Sequence, residues 1–224
     1  MSEIVRLHNL EKAYEKDGHK TQALKSFDLT VDKGDFVLVK GASGSGKTTM
    51  LLAIGGMLQP SNGQVQILGK NIYELSEGQK VRFRAYNIGF IFQMFHLVPY
   101  LNVRENILIN NEIGIGKISE QDLNGLANDL GINHRLTHYP SELSAGEKQR
   151  VALARAMIKK PELILADEPT GNLDGENSLI VLQKLKEYCG KGGTVIMVSH
   201  DNDPDVYANK IITIGQKAEN INTI

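Results

Sequence analysis

The sequence predicts an α/β fold: a parallel sheet with crossover helices, an antiparallel β lobe at its N-terminal side, and a helical lobe inserted in the middle. Three observations lead there. Continuous apolar runs alternate with helical patterns in the second half of the chain, as buried parallel strands and their crossover helices do. Short strand-like runs separated by turn residues fill the start. The stretch from roughly 95 to 160 has a different, helical texture.

Taken in order, EIVRLHNL (3–10), FDLTV (27–31), FVLVK (36–40) and QVQIL (64–68) read as strands. Lys33-Gly34-Asp35 and Pro60-Ser61-Asn62-Gly63 supply turns between them. TTMLLAIGGML (48–58) reads as a helix, and NIGFIF (87–92) is the next apolar strand. In ISEQDLNGLANDL, Leu123, Leu126, Ala127 and Leu130 recur at helical spacing behind a Ser119–Asp122 cap. GEKQRVALARAMIKK (146–160) is a second helix, stopped before Pro161. LILAD (163–167), a helix over 176–190, TVIMVSH (194–200), a short helix near Pro204–Ala208 and KIITIG (210–215) complete the pattern. No Pro- or Gly-rich linker intervenes, so residues 1–224 are expected to form a single domain with lobes.

Composition narrows the function. Hydrophobic residues make up 41% and charged residues 23% of 224, which is globular and not disordered. A formal net charge of -1 leaves no basic excess for a phosphate backbone, so nucleic acid is not expected as a partner. Cys189 is the single cysteine and cannot close an internal disulfide, which suits a reducing compartment. The N-terminus is charged within three residues, unlike a signal peptide, and no run approaches the ~20 apolar residues of a membrane span. The expectation is a cytoplasmic protein that meets a membrane only through a partner.

Two motifs carry chemistry. GASGSGKT (41–48) fits G-x-x-x-x-G-K-[ST] after an apolar strand and before a helix, the signature of a P-loop NTPase core. Gly41, Gly44 and Gly46 let the backbone curl so that its N–H groups face phosphate oxygens, and the helix N-terminus adds its dipole. Gly41, Ala42, Ser43, Gly44, Ser45, Gly46, Lys47, Thr48 and Thr49 are therefore the expected nucleotide-binding run. Lys47 brings charge to the β- and γ-phosphates, and the Thr48 hydroxyl coordinates Mg²⁺. In LILADEPT, Asp167 emerges from a buried strand and can hold the same Mg²⁺. Strand alternation predicts that Glu168 points elsewhere, toward the attacking water.

LSAGEKQR (143–150) then resembles the signature sequence of the ABC ATPase family, lying before the Asp-Glu strand as that family requires. Read bare, Ser144 and Glu147 form a capping box opening a helix, and a capped helix N-terminus is also a phosphate-binding device. The resemblance implies that Ser144 and Gly146 face nucleotide bound on a second protomer. It further implies that Tyr14 stacks on adenine. Gln93 would touch Mg²⁺ and the water, Asp174 in GNLD would cross the dimer interface, and His200 would contact the γ-phosphate. The remaining histidines (His8, His19, His96, His134, His138) show no metal-ligand spacing. Two positions depart from the common signature: Ala145 stands for glycine and Glu147 for glutamine. Ala145 is tolerable if its φ is negative, whereas Glu147 suits the helix dipole but could repel an incoming phosphate.

By the same resemblance, ATP and Mg²⁺ are the cofactors, and the partners are a second copy in an ATP-dependent dimer and a separate permease. The chain would sit on the inner face of the cell membrane through that permease. IGFIFQ, PYLNVRENI and ADEPTGNLD are most similar to the branch serving lipoprotein release, macrolide efflux and antimicrobial-peptide resistance. Its cell-division member and the single-cassette ATPase of iron–sulfur assembly remain alternatives. The segment after Gln93, with Phe95 and Tyr100, resembles the groove that receives a permease's coupling helix. The short tail after His200 leads us to expect no large C-terminal regulatory domain.

Overall fold

A computed structural model describes residues 2–16, 18–109, 118–200, 203–214 and 222–223. Two sheets organise them. The first, in the order β2-β1-β4-β5, is antiparallel; it contains β1 (Glu3–Lys16), β2 (His19–Asp32), β4 (Asn62–Ile67) and β5 (Lys70–Asn71). The second, in the order β10-β9-β3-β8-β7-β6, contains β3 (Phe36–Lys40), β6 (Ile88–Phe92), β7 (Leu163–Asp167), β8 (Thr194–Val198), β9 (Lys210–Thr213) and β10 (Asn222–Thr223). From β9 through β6 this sheet is parallel, and β10 runs antiparallel along its edge.

The parallel strands are apolar on both faces because both faces are covered. Val37, Val39, Leu163, Leu165, Ile196 and Val198 point toward the antiparallel sheet and α1 (Lys47–Ile54). Their neighbours Phe36, Leu38, Ile164, Ala166, Val195 and Met197 point the other way. There they meet α5 (Ala145–Met157), α6 (Gly175–Gly190) and, through them, α3 (Val103–Leu108) and α4 (Glu120–Asp129). Each such Val, Leu or Ile contributes about 1.5–3 kcal/mol by its burial.

Several elements differ from the sequence expectation. The first two strands are much longer than EIVRLHNL and FDLTV, because their polar outer halves continue as a hairpin pairing Lys12 with Leu24 and Tyr14 with Thr21. Helix α2 (Glu77–Asn87), helix α3 and strand β5 were not anticipated. The first helix stops at Ile54, where Gly55 and Gly56 follow. The short C-terminal helix is a 3-10 turn over Asp203–Val206, and Gly215, expected to end the last strand, lies outside the described residues. The cap ahead of α4 forms as expected, Ser119 accepting from the Asp122 N–H at 3.0 Å.

The topology positions the site. Strands β3, β8, β7 and β6 are consecutive neighbours in register, with Val39 opposite Val198, Val198 opposite Asp167, and Asp167 opposite Phe92. The segments leaving their carboxyl ends therefore emerge side by side, where ligands of open parallel sheets bind. Those segments carry the glycine-rich loop, His200, Glu168 and Gln93.

Candidate nucleotide site

The glycine loop is built for close approach. Gly44 and Gly46 have φ of 77° and 97°, and a Cβ on Gly46 would stand 2.3 Å from the Ala23 carbonyl of β2. Gly46 is also the N-cap of α1: no side chain caps this helix and no acidic residue lies in its first turn. Its N–H groups and dipole are thus left for an external anion. The Ser45 hydroxyl is buried without a hydrogen-bond partner. Lys47, only 6% exposed, folds over the loop and donates to the carbonyls of Gly41 (2.7 Å) and Ala42 (3.1 Å). A cleft of about 680 Å³ elsewhere, near Pro161, is lined by ion pairs already closed on each other, Lys33–Glu162 and Lys160–Asp122. The cleft above Lys47, about 670 Å³, lies instead over the glycine-rich loop. Ser43, Gly44, Gly46, Thr48, Thr49, Glu168 and His200 line it, together with Thr21, Gln22 and Ala23 from β2. These three β2 residues belong to no motif and were invisible to sequence reasoning.

Of the two carboxylates, Glu168 lines this cleft, whereas Asp167 does not and meets it only through Thr48. The Thr48 hydroxyl donates to Asp167 Oδ1 at 3.0 Å. Burial, with Glu168 adding to it, raises the Asp167 carboxyl above its usual range, against the pull of Thr48 and Lys47. A hydroxyl–carboxylate pair is a hard oxygen donor set, which fits Mg²⁺; among the described residues no cluster of three His, Cys, Asp or Glu suits a metal. Glu168 does not follow strand alternation. It leaves the strand in the left-handed region, φ 45°, a conformation costing a non-glycine residue about 1–2 kcal/mol. Its N–H donates to the Val198 carbonyl at 3.0 Å and its carbonyl accepts from the Gly171 N–H at 3.2 Å. This turn, not the pleat, separates it from Asp167 and brings Oε1 to 3.1 Å from His200 Nδ1.

Gln93 follows β6. Its carbonyl accepts from Asn172 Nδ2 at 3.0 Å, and its side-chain amide lies against Gly171, where a Cβ would come within 3.2 Å of Nε2. The chain then turns through two consecutive left-handed residues, Phe95 (φ 58°) and His96 (φ 47°). Arg155 of α5 holds this turn, donating to the carbonyls of Phe95 and His96 at 2.7 Å each. Beside it, Met57, Val81, Phe90, Phe92, His96 and Arg155 line a groove of about 380 Å³. Phe95 and Tyr100, expected in such a groove, are not among its lining residues, and Tyr100 stands 78% exposed.

Tyr14 is 46% exposed, with the Lys12 ammonium 5.0 Å above its ring; it pairs across the hairpin with Thr21 of the cleft. Ser144, Gly146 and Asp174 do not line the cleft above Lys47. Ser144 caps α5, accepting from the Glu147 N–H at 3.2 Å, while Glu147 Oε2 accepts from the Ser144 N–H at 2.8 Å. Glu147 Oε1 accepts from Arg135 Nε at 2.7 Å. Hydrogen bonds from the Ser144 backbone and from Arg135 hold the Glu147 carboxyl down to about 2, against the effect of its burial. Ala145 is not among the residues of positive φ, so its methyl is accommodated. Gly146 is where α5 meets α6 closely: a Cβ there would collide with Asn177 at 2.2 Å. Asp174 caps α6, accepting from the Asn177 N–H at 2.8 Å. Among the described residues no helix is long and apolar enough to cross a membrane.

The family described as ABC transporter matches residues 24–171. The protein called "Putative hemin import ATP-binding protein HrtA" of Staphylococcus haemolyticus is 42% identical over 213 residues, 94% of this chain and 96% of that protein. The lipoprotein-releasing system ATP-binding protein LolD of Psychrobacter arcticus is 39% identical over 215 residues, 94% of this chain and 95% of its own. Among solved structures, a dimeric ATP-binding cassette in a post-hydrolysis state bound to ADP and Pi superposes with a TM-score of 0.89. It shares 34% identity and 98% coverage of both chains.

Proposed function

This chain belongs to the ABC transporter family, and we propose that residues 1–224 are one cassette that closes head to tail with a second copy around two MgATP. It is the ATP-binding, ATP-hydrolysing motor of a membrane transporter whose permease is a separate polypeptide. The observation that carries the site assignment is the Thr48–Asp167 contact at 3.0 Å, beside a cleft that Lys47, Thr48 and the Glu168–His200 pair line together.

The residues divide the work. Gly41 through Thr49 hold the phosphates with their N–H groups and the α1 N-terminus. Lys47 exchanges its two carbonyl partners for β- and γ-phosphate oxygens, and Tyr14 stacks on adenine in place of Lys12. Thr48, Asp167 and Gln93 would hold Mg²⁺, which supplies charge neutralisation for the transferring phosphoryl group. Glu168 orients a water and takes its proton as the water oxygen attacks γ-phosphorus. The bond to the β–γ bridging oxygen breaks and ADP departs with it. His200, 3.1 Å from Glu168, contacts the γ-phosphate. Ser144 and Gly146 bring the α5 N-terminus to nucleotide held by the other copy, and Asp174 lies at that interface.

Helical lobe 95–160 carries the surface that meets the permease, which keeps the chain on the inner face of the cell membrane. The groove between Met57, Val81, Phe92 and Arg155 receives its cytoplasmic helix. Lipoprotein release or drug and antimicrobial-peptide export is the process proposed, on the resemblance of IGFIFQ and ADEPTGNLD to that branch and on the likeness to LolD. Cargo itself is chosen by the permease, which pull-down from detergent-solubilised membranes would identify. The decisive test of the site is Glu168→Gln. It should keep ATP affinity, lower turnover by about 10² or more, and accumulate as a dimer in MgATP on size exclusion. A monomeric profile with near-normal turnover would overturn the assignment.

A further inference from the structure

Glu147 places a negative charge in the first turn of the helix that, on the two-chain reading above, must accept a triphosphate. A bare carboxylate there would oppose the approach, since Coulomb repulsion is weakly screened once an interface closes over it. The structure shows a carboxylate that is not bare. Both of its oxygens are turned inward, Oε2 onto the Ser144 N–H and Oε1 onto Arg135 Nε, and the side chain is only 13% exposed. His134 Nε2 lies 3.9 Å from Oε1. Arg135 comes from the 3-10 turn Asn133–Arg135 that follows α4, a different segment from the signature.

The pairing is selective for glutamate. A glutamine at 147 could accept from the Ser144 N–H with its one oxygen, but its remaining group would be an NH₂ donor facing the donor-only guanidinium. Ser144 meanwhile uses its oxygen to accept from Glu147 N–H, which leaves its O–H proton to donate elsewhere.

We infer that Arg135 is a positioning residue for the signature segment: it neutralises Glu147 and pins it to the N-cap, so that Ser144 and the α5 N-terminus can receive the second copy's nucleotide. Arg135 touches no nucleotide itself and acts through Glu147. The inference rests on the two-chain site proposed above.

The test is a double-variant cycle in the full chain, read as MgATP-dependent dimerisation by energy transfer between labelled copies in a Glu168→Gln background. Arg135→Ala should weaken dimerisation by about tenfold or more while leaving the ATP affinity of the monomer, set by the Lys47 loop, unchanged. Removing the charge it neutralises should cancel the defect. Arg135→Ala/Glu147→Gln is expected within about threefold of Glu147→Gln alone. If Arg135→Ala dimerises normally, or if the double variant stays as weak as the single one, Arg135 does not act through Glu147 and the inference falls. Should Arg135→Ala unfold, Arg135→Gln keeps bulk and hydrogen bonding without the charge and is scored the same way. Ser144→Arg separates the two levels: a variant that still dimerises normally sinks the two-chain site itself, whereas its loss of dimerisation beside a normal Arg135→Ala sinks only the inference.

Discussion

On the proposed mechanism two helix N-termini meet phosphate, and they are built in opposite ways. Helix α1 opens on a left-handed glycine with no side-chain cap and no acidic residue in its first turn. Helix α5 opens on a serine in a full capping box, with Glu147 in its first turn and Arg135 behind it. Both present the positive end of a helix dipole. Only the second has a first-turn N–H, that of Glu147, taken by a side-chain cap, and only the first has a lysine as its first residue, Lys47, folded over the loop. The difference teaches that α1 can bind an anion alone. The α5 end, partly capped by its own chain, would add a hydroxyl and its remaining dipole to a phosphate that something else delivers. On the proposed mechanism this fixes the order: nucleotide binds at α1, then α5 of the second copy closes on it.

Complementation is the hardest test of that division. Lys47→Ala with an intact signature, and Ser144→Arg with an intact Lys47, each damage both sites of their own dimer. Mixed, they should form heterodimers with one intact site, and ATP-dependent dimerisation should return from near zero to a readily measured signal. A mixture as inert as either variant alone would mean that the two ends do not share one nucleotide.

A middle-sized effect separates the two helix starts by their need for glycine. Gly46→Ala puts a methyl 2.3 Å from the Ala23 carbonyl at a φ of 97°. It should destabilise by at least about 1–2 kcal/mol and reduce ATP affinity. Ala145→Gly, at a helical position of ordinary φ, should cost no more than about 1 kcal/mol and keep ATP affinity. Equal urea midpoints for the two variants would erase the distinction.

The smallest effect is on pH. Glu147 has a folded value of about 2 against an ordinary 4.5, so its pairing stabilises the fold above about pH 4.5 and the contribution is lost as pH falls toward 2. Glu147→Gln should therefore show a shallower acid limb in urea midpoints measured between pH 5 and 3, by about one carboxyl's worth of protons. An unchanged limb would mean that Arg135 and the cap do not hold the ionised form.

The parallel core was legible because its central strands β3, β7 and β8 are apolar on both faces; LILAD and TVIMV could hardly be anything else. Helix α2 was not, and its composition says why: its one buried residue is Lys80, so no apolar stripe marks it, although Ser76 and Gln79 make a full capping box. Helix α3 has six residues, too short for a period to show. The outer half of the hairpin is exposed on both faces and carries no alternation, so Thr21, Gln22 and Ala23 could be found only once β2 was seen lying against the glycine loop. Glu168 was legible by type and spacing, but the left-handed turn that carries it away from Asp167 was not, because nothing in a non-glycine residue marks a positive φ. Roles at Gln93, His200 and Asp174 came from family resemblance, since each alone is an ordinary polar residue.

Arg155 grips the turn after Gln93 by two main-chain carbonyls. A fastening of that kind is blind to the identity of residues 95 and 96. It asks only that both tolerate a left-handed backbone, which excludes little beyond the β-branched residues. Evolution is therefore free to rewrite the side chains that face the groove, to suit whichever permease the cassette serves, without loosening the turn that joins that groove to Gln93.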